Sequence, residues 1–272
     1  MSRAEMYVNT TDLPKKVASE ILPIFKNLIK WKEGCKILDV GCGPGDVTHD
    51  ILLPNLPQST SEIIGIDKCA EFIDYANLHY DSNPICSFKV LDIVNDEVHK
   101  EFVHHFDYVV SFLCLHQFNN HEAAFTNIKK MLKPGGEMVC YFATTSKSFD
   151  VYKSLASLEK WKPYLHDYEK YCSPYKDSLN PKEDIERFLR DMGFKVAFLK
   201  LEERKHKFLL STSPKYFQTL CPLPIPDEIK NLLEVSTFDV LKSLNLLKLT
   251  ENNEEYFDFS CTLAIMHIIM GS

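Results

Sequence analysis

The chain has 272 residues, 45% of them hydrophobic and 25% charged, which is the balance of a globular protein with a sizeable core in one large domain or two small ones. A formal net charge of −7 with no long basic block excludes the clustered positive face that duplex nucleic acid demands. Nine cysteines lack the close pairs of a zinc site, the N-terminus has no apolar h-region, and no apolar run reaches the roughly 18 residues that span a bilayer. The expectation is a cytosolic protein with reduced thiols, no bound metal and no membrane span.

Residues 1–34 precede the first strand. Val17, Ala18, Ile21, Leu22, Ile24, Phe25, Leu28 and Ile29 recur at helical spacing, with Asp12 at the cap position and Pro14 in the first turn. This helix either packs on a sheet or forms a lid whose polar first turn covers a ligand. Next comes Cys35–Asp46, CKILDVGCGPGD, a buried strand that turns through Gly41, Gly43 and Gly45 into a helix over Val47–Leu53. Strands are predicted at Glu62–Asp67, Cys86–Leu91, Phe106–Ser111 and Glu137–Phe142, with helices at Lys68–Tyr80 and Glu122–Leu132. Lys133-Pro134-Gly135-Gly136 reads as a helix stop and turn. Strands alternating with helices imply a parallel sheet with right-handed crossovers.

From Ser146 the pattern changes. Ser148–Lys162 and Pro163–Cys172 read as helical, and Trp161, Tyr164, Leu165, Tyr168, Tyr171 and Tyr175 form an aromatic stripe expected to be core. Pro181–Met192 is a helix closed by Gly193, Phe194–Leu201 a strand, Pro214–Leu247 a proline-rich helical insertion, and Tyr256–Met270 a final strand. No linker separates the pieces. The division is one domain over 1–272, with an N-terminal lid or helix at 1–34, a ligand-binding core at 35–145 and a helical cap from insertions at 146–192 and 206–250.

The glycine loop reads Asp-x-Gly-x-Gly-x-Gly, one residue out of register with the dinucleotide fingerprint. Pro44 removes an N–H that a phosphate would use, and Asp39 and Asp46 flank the loop with negative charge. A cationic, phosphate-free nucleoside fits better, and S-adenosylmethionine carries both a sulfonium and an ammonium. Asp67 closes the second strand, where an acid accepts ribose hydroxyls. Asp92 closes the third and can take the adenine amino group, with Ile93 on the ring. Ser111 closes the fourth, beneath the transferred methyl. The cofactor residues are therefore read as Asp39, Val40, Gly41, Gly43, Asp67, Lys68, Asp92, Ile93 and Ser111.

The pieces LDVGCGPG, GID at 65–67, LDI at 91–93, FDYVVSFLCLH at 106–116 and MLKPGGEM at 131–138 resemble the class I S-adenosylmethionine-dependent methyltransferases. That resemblance implies a Rossmann-like, seven-stranded, mostly parallel α/β sheet with an antiparallel last strand. WKEGCKILDVGCGPGDVT, SFLCLHQF, FDVYKSLASLEKW followed by YCSPY, and YFDFSCTLAIM are similar to the insect juvenile hormone acid methyltransferase family. The family esterifies the carboxylate of juvenile hormone acid or farnesoic acid. In it the position of Pro14 is usually Gln and that of Gln117 usually Trp, both thought to hold the substrate carboxylate.

The reaction expected is methyl ester formation on a small lipophilic acid: juvenile hormone acid, farnesoic acid or a fatty acid. Phe112, Leu115, Phe118, Phe142, Phe149 and Tyr152 would suit its apolar tail, and His116 and Gln117 would face the acceptor. A carboxylate is ionised at neutral pH and needs no general base, whereas an alcohol or phenol would, with His116 the nearest candidate. The Asn/Asp-Pro-Pro-aromatic pattern of amine methylation is absent after the fourth strand. Alternatives are a paralogue that binds cofactor or lipid with little turnover, a methyltransferase for another small acceptor, and a nicotinamide-dependent oxidoreductase. A homodimer is left open.

Overall fold

The computed structural model describes residues 2–10, 12–80, 83–210 and 225–271. Its strands are β1 (Lys36–Val40), β2 (Glu62–Asp67), β3 (Cys86–Val90), β4 (Phe106–Phe112), β5 (Leu132–Ser146), β6 (Phe194–Leu209), β7 (Leu247–Leu249) and β8 (Glu255–Met270). They form one sheet in the order β3-β2-β1-β4-β5-β8-β6. The first five strands are parallel and β8 runs antiparallel between β5 and β6. This is the expected sheet with one addition: short β7 pairs with the first half of β8. Strand order reverses at β1, which lies between β2 and β4, so the glycine loop leaves the sheet where a crevice opens at the strands' carboxyl ends.

The helices are α1 (Arg3–Thr10), α2 (Leu13–Leu28), α3 (Ala70–Tyr80), α4 (His121–Met131), α5 (Lys147–Ser157), α6 (Lys162–Leu165), α7 (Pro181–Asp191) and α8 (Lys230–Ser243). One face of the sheet packs on α2, which buries Val17, Ile21 and Phe25 against Ile37, Val110 and Tyr141. Each such side chain contributes roughly 1.5–3 kcal/mol. The other face packs on α4 and α7 through Phe125, Ile128, Ile185 and Leu189.

Several bounds differ from those expected of the sequence, for physical reasons. The helix expected over Val47–Leu53 is a π turn, Thr48–Leu52, followed by a 3-10 turn, Leu53–Asn55. Pro54 lacks the N–H an α-helix would need there, and its ring would meet the carbonyl four residues back. The Lys133–Gly136 turn is absorbed into β5 as an irregularity between Phe106 and Tyr108 in the register with β4. The second predicted cap helix breaks into α6 and a 3-10 turn, Tyr168–Tyr171.

The N-terminal segment holds two helices where one is predicted. Asp12 occupies the cap position of α2 through its carbonyl, which accepts the Lys16 N–H at 2.9 Å, while its carboxylate makes no capping bond. The cap is also smaller than 146–192 and 206–250 imply. Helix α7 belongs to the sheet's flank, and residues 206–209 continue β6 opposite Phe259–Tyr256. Residues 214–224 of the predicted insertion lie outside the described residues.

Candidate active site

Three glycines leave β1 in the left-handed region, with φ of +76° at Gly41, +57° at Gly43 and +84° at Gly45. A Cβ on Gly45 would lie 2.9 Å from both the Ala76 methyl and the Phe88 ring, so α3 and β3 hold the loop's back. The Gly41 and Cys42 N–H groups donate to the Ile66 carbonyl at 2.8 and 3.1 Å, which pins the loop to the end of β2. Asp67 completes the clamp: its carboxylate accepts the Gly43 N–H at 3.0 Å and the Cys69 N–H at 2.9 Å.

Beside the loop lies a cleft of about 480 Å³, within the range of small-molecule sites. Val40, Gly41, Asp67, Lys68, Asp92, Ile93 and Gln117 line it, so most of the residues predicted from sequence converge there. Leu91, Val94, Cys114, Phe118, Lys170 and Tyr171 are also part of the wall. The last two come from the 3-10 turn at 168–171, fixed by the Asn119 N–H donating to the Lys170 carbonyl at 3.2 Å. Asp92 also forms its own turn, accepting from the Val94 N–H at 2.9 Å and the Asn95 side chain at 2.8 Å.

Four predicted residues lie elsewhere. Ser111 is fully buried and donates to the Val40 carbonyl at 2.9 Å; alternation along β4 turns it away from the face of Val110 and Phe112, and it joins β4 to β1. Asp39, 2% exposed, lies behind the loop and accepts the Thr48 hydroxyl at 2.6 Å. Gly43 offers its N–H to Asp67 rather than a wall to the cleft. His116 has a buried Nδ1 without a partner among the described residues, and its imidazole is pushed down to about 4 by burial and by neighbouring His121. The expected tail-binding residues divide between the two faces: Phe112, Phe149 and Tyr152 on the α2 face, Leu115, Phe118 and Phe142 on the other. The aromatic stripe divides likewise, with Trp161 and Leu165 on the first face and Tyr175 on the second.

Two features carry no clear signal in the sequence. Helix α1 lies against α3, with Tyr7 and Phe72 ring centroids 5.4 Å apart, and the Tyr7 hydroxyl is held protonated by burial and by the charges of Asp46 and Asp67. Leu113 takes φ +54°, sparsely populated for leucine, and its N–H donates to the Tyr141 carbonyl at 2.9 Å. This strained turn presents Cys114 to Gly41 and leads to Gln117.

The loop's electrostatics are one-sided. Burial raises the carboxyls of Asp39, Asp46 and Asp67; Asp39 reaches about 7, opposed by the Thr48 hydroxyl and reinforced by the other two acids. Lys15 on α2 lies 3.7 Å from Asp46 but 2.7 Å from Asp50, so it neutralises the group only in part. Lys68 and Arg3 act on Asp67 in the same sense, yet burial still leaves all three carboxyls raised, so a ligand cation meets a field only partly compensated and a pyrophosphate would be disfavoured.

A methyltransferase domain family matches residues 31–193. The chain is 31% identical over 255 residues to the juvenile hormone acid O-methyltransferase of Bombyx mori, covering 93% of this chain and 91% of that protein. It is also 31% identical over 263 residues to the Drosophila melanogaster enzyme of the same name, covering 94% and 87%. Among solved structures, the Bacillus subtilis YcgJ protein aligns with a TM-score of 0.59 at 12% identity over 93% of this chain and 98% of that one. Phosphoethanolamine N-methyltransferase 2 of Haemonchus contortus, in complex with S-adenosyl-L-methionine, aligns at 0.51 and 19% identity over 93% and 52%.

Sheet order, cleft and family together make this chain a class I methyltransferase whose cofactor is S-adenosylmethionine. The residues present fit that molecule, since buried acids without a full cationic partner face a loop poor in phosphate donors. More narrowly, the chain belongs to the juvenile hormone acid O-methyltransferase family.

A pH dependence follows from Asp39. Between its ordinary value of 3.8 and about 7 the native carboxyl keeps a proton that the unfolded chain loses, so stability of the free protein falls as pH rises through that window. A cation favours the ionised form. Affinity for S-adenosylmethionine should rise about tenfold from about pH 6 to about pH 8, levelling off above about 7, and Asp39→Asn should flatten the profile in calorimetry.

Proposed function

We propose that this enzyme methylates the carboxylate of a small lipophilic acid, of the juvenile hormone acid, farnesoic acid or fatty acid kind, giving the methyl ester. The observation that carries the proposal is the match, over nine-tenths of the chain, to two proteins named for methylating juvenile hormone acid. The chemistry of the site agrees. When bound, S-adenosylmethionine supplies a methyl on a sulfonium, and an ionised carboxylate takes it without loss of a proton. The nearest candidate base, His116, is too weak at about 4 to activate an alcohol or phenol.

In this reading Asp67 accepts the ribose hydroxyls, Asp92 and Ile93 receive the adenine, and Val40, Gly41 and Lys68 line the nucleoside's path. Asp39 acts through its field from behind the loop, and Gly43 acts by anchoring Asp67. Ser111 supports the ends of β1 and β4 instead of touching the methyl. Gln117 lies on the same cleft wall, beside the nucleoside residues. Helices α1 and α2 cover the loop, and the cap over the 35–145 core screens the acceptor from water. Among the described residues no helix is long and apolar enough to cross a membrane. A cytosolic enzyme acting on a small molecule, without nucleic acid, accords with this reading, and self-association into a homodimer can be weighed by sedimentation.

The test is incubation of the purified chain with labelled S-adenosylmethionine and farnesoic, juvenile hormone and straight-chain fatty acids. Methyl ester from one or more acids is the expected product. Pro14, which offers no donor, favours one competing outcome, in which cofactor binds and no acid is esterified. That result would overturn the proposal in favour of a paralogue with little turnover on acids.

A further inference from the structure

An acceptor carboxylate beside this loop meets a difficulty that the cofactor does not. Asp39, Asp46 and Asp67 make the region acidic, so an anion there needs a hydrogen-bond donor that keeps its proton. Pro14 has no donor, and Gln117 lies on the cleft wall among the nucleoside residues. Among the described residues the uncharged buried donors without a partner include the Trp31 and Trp161 indoles and one hydroxyl on the sheet, which lies nearest the loop's acids. Tyr141 on β5 is 1% exposed, and its hydroxyl has no hydrogen-bond partner among the described residues. Leaving such a group unpaired in a folded interior is costly, and natural structures pair nearly all of them.

The position of Tyr141 points to what pairs with it. It sits opposite Phe112, the last residue of β4, with ring centroids 5.0 Å apart, and 6.4 Å from the Phe25 ring of α2. Its carbonyl holds the strained Leu113 turn, which carries Cys114 and leads to Gln117 on the cleft wall. The same apolar cluster contains Phe112, Phe149 and Tyr152. The hydroxyl thus marks the junction between the cofactor loop and the apolar interior of the α2 face. It feels Asp39 and Tyr7 directly, and these together with burial keep it protonated, a donor at any working pH.

We propose that the Tyr141 hydroxyl donates a hydrogen bond to the acceptor's carboxylate, fixing its polar end while the tail lies along Phe112, Phe149 and Tyr152. This rests on the carboxylate reading above. Tyr141→Phe removes only the hydroxyl. With farnesoic acid it should lower kcat/KM about 10- to 100-fold, the loss falling mainly on KM for the acid, while S-adenosylhomocysteine affinity by calorimetry stays within about threefold.

A second readout needs no variant and no turnover. Adding farnesoic or hexadecanoic acid to the wild-type complex with S-adenosylhomocysteine should shift tyrosine absorption to the red, and Tyr141→Phe should lose that shift. Wild-type turnover with an unchanged variant overturns this inference alone, as does the absence of any tyrosine shift on adding an acid that the wild type esterifies. A wild type that binds cofactor but esterifies no acid overturns the carboxylate reading together with it. Should Tyr141→Phe fail to fold, the wild-type difference spectrum decides.

Discussion

Replacing Asp67 by alanine should weaken S-adenosylmethionine binding about 100- to 1,000-fold. The carboxylate stands at the end of β2 and its two oxygens already accept the Gly43 and Cys69 N–H groups, at 3.0 and 2.9 Å. These bonds fix it on the cleft wall and leave each oxygen a further lone pair for a ligand. Hydrogen bonds to a charged group contribute about 1.5–3 kcal/mol each, and two ribose hydroxyls would lose theirs together. The loop would also lose its clamp, so a fall of a few degrees in Tm should accompany the effect. Asn at this position keeps an acceptor for one backbone N–H but turns an amide donor toward the other, so it should bind only slightly better than Ala. Calorimetry with S-adenosylmethionine and S-adenosylhomocysteine measures both variants. Affinity within about threefold of wild type, in a variant that melts normally, would remove Asp67 from the cofactor site. A titration with NAD belongs in the same experiment, because an acid at this strand end also serves dinucleotides, and the distinction rests on the loop.

The cleft was legible because its chemistry lies at strand ends. Asp67 and Asp92 follow short buried strands whose periodicity is plain, and a parallel sheet puts those ends on one side. What escaped was direction and distance. Ser111 ends its strand as predicted, yet the two-residue alternation that places Val110 and Phe112 on the α2 face sends its hydroxyl the other way, to the Val40 carbonyl. Asp39 belongs to the motif but points behind the loop. Tyr7 lies on a helix too short and too weakly patterned to stand out, and only its docking on α3 brings it to the acids. Tyr141 reads in sequence as one more core aromatic of a buried strand. Its significance appears only when the neighbours of its hydroxyl are known. The cap was overdrawn for a related reason. Helix α7 carries the same amphipathic pattern whether it covers a site or flanks a sheet, and only the contact of its Phe188 with Phe125, which in turn packs on Phe194, assigns it.

Gly41→Ala is expected to do the most damage of any glycine-to-alanine change in this chain. Its φ of +76° costs an alanine about 1–2 kcal/mol on its own. The steric clash costs more, because the new Cβ would stand 2.1 Å from the Cys114 Sγ and 2.4 Å from its Cβ. Rotating the thiol relieves only the first contact, so the Leu113–Cys114 backbone must move, and with it the turn that carries Gln117 to the cleft. Stability should fall by about 3 kcal/mol or more and cofactor binding should be lost. Gly43→Ala is the control: its φ is +57°, but a Cβ there meets nothing within 4 Å, so only the backbone strain applies and Tm should drop far less. The double variant Gly41→Ala with Cys114→Gly removes the clash and leaves the strain, so it should regain most of the lost stability. Melting curves for the three variants, with and without S-adenosylhomocysteine, separate strain from clash. Equal melting of Gly41→Ala and Gly43→Ala would mean that the Cys114 contact does not hold the loop. Rescue of stability without rescue of binding would place the cofactor's demand on Gly41 itself, in the close approach of ligand to backbone that the glycine permits.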